Sequence, residues 1–206
     1  MLRNAIGLMV GSILLVSSPA FGNDAVAPHV ILTWNDPYEL LPQGFDRVAR
    51  DIESNLGDIG IRVSWDDEHT SKRAGVRLQV LLRATDPARW ELPKHTMGVV
   101  IGNKVPRSSV FIFLPNVLRT LGYGPKVKRM RPPKDVALIA RGLTRVVAHE
   151  IVHAIVPEHG HDTGGLLAPK LRRDSLTSRQ LDLDPPTRAL LLSRLADPKS
   201  FTEVSP

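Results

Sequence analysis

The chain has 206 residues, 42% hydrophobic and 23% charged, with 27 Lys and Arg against 21 Asp and Glu for a formal net charge of +6. That suits one domain with a sizeable core and excludes a collagen-like, coiled-coil or wholly disordered chain. Cysteine is absent, which excludes disulfides, thiolate metal ligands and a cysteine nucleophile.

Residues 1–22 carry one charge, Arg3, then the apolar run IGLMVGSILLV and the small residues of SSPAFG. This is signal-peptide architecture, with cleavage expected after Gly22. The run is short for a bilayer span, which needs roughly 20 residues, and no later segment is apolar enough to replace it. The mature chain is therefore expected to be exported, periplasmic or secreted, and to keep a charge of +5, because only Arg3 is removed. Its basic residues are dispersed. The one cluster, GPKVKRMRPPK at 124–134, is Pro-rich without aromatics and reads as a solvated loop, so no nucleic-acid partner is expected.

HVILTW, 29–34, suits a buried strand ended by Asn35-Asp36-Pro37. Leu41, Phe45, Val48, Ala49, Ile52 and Leu56 follow helical spacing, with a stop near Gly57 or Gly60. Ile61, Val63 and Trp65 alternate with polar residues, as do Val76, Leu78, Val80 and Leu82, giving two more strands. MGVVIG, 97–102, and SVFIFL, 109–114, read as a further pair around a turn at 103–107. Then Val136, Ile139, Ala140, Leu143, Val146, Val147 and Ile151 mark a long helix that Pro157 must end, since proline lacks the N–H a helix needs to continue. A Gly-rich turn and a Leu-rich tail follow. Asp184-Pro185-Pro186 then opens a last helix with an Asp cap. The order predicts one α+β domain over 27–197.

Four of the seven histidines fall between 149 and 161, in HEIVHAIVPEHGH. His149 and His153 are four apart on a helix and project from one face, where two imidazoles can share a zinc ion (Zn2+). Glu150, one residue on, is placed to take a proton from water on the metal rather than to bind it. Zinc needs a third protein ligand and an open position. Ser108-Ser109 has no His/Asp partner pattern, so a serine nucleophile is not supported. Trp34 and Trp65 read as core. Tyr123 reads as a turn tyrosine, with an oxyanion-steadying role as its alternative.

HEIVHAIVPEHGHDTGGLLAP resembles the zinc segment of metzincin metallopeptidases, H-E-x-x-H-x-x-G-x-x-H. His149, Glu150, His153 and His159 match that pattern residue by residue. It also resembles small exported bacterial zinc-peptidase-like proteins, in which alignment places His161 as third ligand. The resemblance implies a metzincin-like zincin fold. Its twisted mixed sheet has about four to five strands, with an early helix and a long active-site helix carrying HExxH. It also implies a zinc-dependent endopeptidase acting on peptide or protein substrates laid along the strand at 97–102. Departures stand at Val152, Val156 and Leu167, where such enzymes carry Gly, Gly and Met. A β-branched Val156 before Pro157 makes the sharp reversal poorly, which favours the longer excursion to His161 over His159 as third ligand. Asp162 is a weaker candidate. The rival expectation is a non-catalytic, zinc-stabilised binding domain.

Overall fold

The computed structural model describes residues 28–41, 44–66, 75–85, 87–102, 108–124 and 133–197. The expected signal peptide, the turn at 103–107 and most of the basic cluster (125–132) lie outside the described residues. Five strands run in the order β1 (His29–Asn35), β2 (Arg62–Trp65), β3 (Val76–Arg83), β4 (Gly98–Ile101) and β5 (Ser109–Phe113). They form one sheet ordered β2-β1-β3-β5-β4. All pairs are parallel except β4 with β5, which is antiparallel and puts β4 on an edge. The result is a mixed sheet with helices.

The alternation in β3 sends Val76, Leu78, Val80 and Leu82 to one face, all buried. Against them pack Val48, Ile52 and Leu56 of α1 (Phe45–Asp58) and Leu143, Val147 and Ile151 of α3 (Pro133–Ile155). Each large aliphatic side chain buried this way contributes about 1.5–3 kcal/mol. Eleven successive residues of α3, 142–152, are buried. Its last turns therefore stand fixed inside the core. On the other sheet face Trp90 meets Phe111 and Phe113 edge-on, and the Arg83 guanidinium sits 5.2 Å from the Phe111 ring centre.

Several elements depart from expectation. The strand expected over 109–114 gives up Leu114, which begins a helix, α2 (Leu114–Thr120). Pro115 sits in its first turn, where the missing N–H costs nothing, and Leu114, Val117, Leu118 and Leu121 make a buried helical stripe. A short 3-10 turn, Pro87–Trp90, and α4 (Arg173–Thr177) were also not anticipated. The last helix, α5 (Pro185–Ala196), is capped as its sequence implies: Asp184 Oδ2 accepts from the Thr187 N–H at 3.1 Å.

Candidate metal centre

The last two turns of α3 carry His149, Glu150 and His153. His149 and Glu150 are each only 6% exposed. The helix stops as its sequence demands. Val156 N–H still reaches the Val152 carbonyl (2.8 Å), Pro157 can donate nothing, and the His159 N–H turns back to the Val156 carbonyl (3.0 Å). Val156 is fully buried, and the chain makes a close turn from its carbonyl to His159 before running on. The excursion returns at His161. The chain reverses again at Gly165, φ +67°, where a Cβ would stand 2.5 Å from the Asp182 carbonyl oxygen. The loop 162–167 is closed by Asp162 N–H donating to the Leu167 carbonyl (2.9 Å), and Leu167 is buried.

These turns bring His149, His153 and His161 together, with ligand-capable atoms all within 4.8 Å of one another. Nε2 of His149 and Nε2 of His153 are 3.2 Å apart. Two nitrogens on one tetrahedral zinc, each bonded at about 2.1 Å, stand about 3.4 Å apart. His149 Nδ1 lies 2.7 Å from the Leu166 carbonyl oxygen. Only a protonated Nδ1 can donate there, which leaves Nε2 bare as a ligand. Burial pushes the His149 pKa down to about 4, with His153 and His161 adding to that effect. Burial, then His161, also lowers the His153 pKa. Both rings are thereby held in the neutral form a metal needs. The donor set fits zinc.

Glu150 stands beside this cluster, Oε1 4.0 Å from His149 Nε2, and is not one of the three converging groups. Burial raises its pKa to about 8. Its carboxylate lies against the backbone of Gly98 on β4, where a Cβ would come within 2.5 Å of Oε1. The edge strand and the carboxylate therefore touch only because residue 98 has no side chain. Gly98→Ala should push the flexible Glu150 aside rather than break the sheet. Zinc affinity is expected to stay within a few-fold, since Glu150 is not one of the three converging groups. Loss of tight zinc binding in this variant would show that the berth of Glu150 also supports the histidines.

His159 is elsewhere. Its Nε2 lies 3.0 Å from Thr187 Oγ1 and 3.3 Å from Asp162 Oδ1. With Asp184 it forms a second His/Asp group of close spacing, but Asp184 is committed to capping α5. Hydrogen bonding accounts for this group as a latch between the loop after α3 and the start of α5. Tyr123 donates to Asp135 Oδ1 at 3.0 Å and does not line the cavity at the histidines. Trp34 and Trp65 flank Phe45 and pack, partly buried, against the core rather than inside it.

Sequence reasoning missed Asn116. It is 3% exposed, and its Nδ2 donates to the carbonyls of Lys94 and Thr96, both at 2.7 Å. It thus pins the segment that leads into β4 beside Glu150. A lone amide within LPNVLRTL, otherwise apolar on that face, was the available signal.

No protein-family model and no curated protein matches the chain. Among solved structures it is similar to archaemetzincin from Methanopyrus kandleri, at 13% identity and a TM-score of 0.46, covering 86% of this chain and 99% of that one. It is also similar to a zinc-dependent peptidase from Methanocorpusculum labreanum, at 14% identity and a TM-score of 0.44, covering 79% and 99%. Side-chain roles do not transfer at such identity, so the chemistry below rests on this chain's own residues.

Proposed function

We propose that the protein is an exported zinc-dependent endopeptidase of zincin type. The observation that carries this reading is the convergence of His149, His153 and His161, with Glu150 unligated beside them and against the edge strand β4. The three imidazoles would hold the zinc. When bound, zinc supplies Lewis acidity, lowering the pKa of water and polarising a carbonyl. Glu150 accepts the proton at its carboxylate and delivers it to the leaving amine. The positive charge of the ion favours the carboxylate form that burial alone disfavours. Backbone groups on the outer edge of β4, the last strand of the sheet among the described residues, pair with an extended peptide, as strands added to an open sheet edge do. Leu166 keeps His149 in the ligating tautomer.

Incubating the zinc-loaded protein with unfolded protein or a peptide library tests this. Cleavage that chelator abolishes and zinc restores is the expected result. A folded, zinc-loaded protein that cleaves nothing would leave the binding-domain reading, which the residues Val152, Val156 and Leu167 favour. Among the described residues no helix is long and apolar enough to cross a membrane. Export itself rests on residues 1–22. N-terminal sequencing of secreted or periplasmic material should begin at Asn23, and a start at Met1 would contradict cleavage.

A further inference from the structure

A cavity of about 690 Å³ opens on Glu150 and the three histidines. Its body is apolar, with Met97, Val100, Val146 and Leu171 among its lining. One wall is the segment that follows the 162–167 loop, and this wall carries Lys170, Arg172 and Arg173. All three are exposed, while Leu171 between them is buried. The alternation turns the leucine inward and leaves the long cationic stems to run along the rim with their heads in water. Among the described residues, none of the three side chains makes an ion pair or a hydrogen bond. Among the described residues, the only carboxylate lining the cavity is Glu150, which faces the metal centre. Three cations within four residues repel one another; the acidic residue that follows them, Asp174, turns its Oδ1 to the Ser175 N–H and is not part of the cavity lining. The mature chain as a whole is also positive, at +5 once Arg3 is removed, so its field draws anions toward such a cleft.

We propose that this wall selects acidic peptides, taking a glutamate side chain next to the bond to be cut. The methylenes lie in the apolar body of the cavity and the carboxylate rests on Lys170, Arg172 and Arg173. Arginine forks match a carboxylate with two parallel hydrogen bonds, which makes such pairs specific as well as strong. The apolar lining suits the methylenes of a glutamate side chain more than a bare chain-end carboxylate. This names the substrate class of the peptidase site and rests on that reading.

The test uses the zinc-loaded Glu150→Gln protein, which holds peptide without turning it over, and three labelled peptides of one sequence. One has a central Glu and an amidated end, one a central Gln and an amidated end, and one a central Gln and a free terminal carboxylate. The Glu peptide is expected to bind at least about tenfold tighter than either Gln peptide, the scale of one well-made charge-assisted contact. High salt should erode that preference. So should combining Lys170→Gln, Arg172→Gln and Arg173→Gln, with melting temperature and zinc content unchanged. Equal binding of all three peptides overturns the proposal, and so does a preference that follows the free terminus. Wild-type protein that cleaves the Gln peptide as fast as the Glu peptide keeps the peptidase reading and sinks the acidic preference. Charge-dependent binding without any cleavage does the reverse.

Discussion

Replacing Glu150 by Gln is expected to cut peptide hydrolysis at least 100-fold while the protein still carries its zinc. A positioned general base is worth roughly 10²–10⁴ in rate, so the lower end already removes about 2.7 kcal/mol of transition-state stabilisation. Gln keeps the size and shape of Glu, so the contact with Gly98 persists. What disappears is the ability to accept a proton. Zinc should stay because Glu150 Oε1 is not one of the three converging groups. The measurement is zinc content and rate on the same preparation. Unchanged hydrolysis would move the base elsewhere, and loss of zinc would make Glu150 a ligand.

The second large effect lies in the histidines. His149→Ala and His153→Ala should abolish tight zinc binding and lower the melting temperature, because an ion bound only by the folded chain stabilises it. Structural zinc sites bind with roughly 10–16 kcal/mol over four ligands, so losing one of three costs on the order of 3 kcal/mol, or more than 100-fold in affinity. His161→Ala should behave in the same way. His159→Ala should not. It removes contacts with Thr187 and Asp162, worth about 1 kcal/mol of stability, and should leave zinc affinity within a few-fold. Zinc titration of the four variants checks the order. Greater loss in His159→Ala than in His161→Ala would mean that the chain makes the tight turn despite valine.

Much of this was legible in the sequence because the signals were periodic. The β3 alternation and the α3 stripe each name their buried face directly, and Asp184-Pro185-Pro186 announces its cap through residue chemistry alone. The site was legible where it lies on one helix. His149, Glu150 and His153 need only the rise of α3 to be placed. His161 depends on a loop whose path is set by a distant contact, the Leu166 N–H on the Asp182 carbonyl (2.7 Å), and no local pattern encodes that. Helix α2 was hidden because its stripe runs directly on from the apolar residues of β5, where strand and helix periods cannot be told apart over so few residues. Gly98 lies in a segment that reads only as a strand, MGVVIG. Its importance comes from a side chain 52 residues away in the sequence.

The function of the site turns on where the ion sits. Diffraction from zinc-loaded crystals, collected on both sides of the zinc absorption edge, locates it directly. One anomalous peak about 2.1 Å from nitrogens of His149, His153 and His161, with Glu150 out of bonding range, is the predicted result. A peak among His159, Asp162 and Asp184, or none at the three histidines in a folded, zinc-saturated protein, would contradict it.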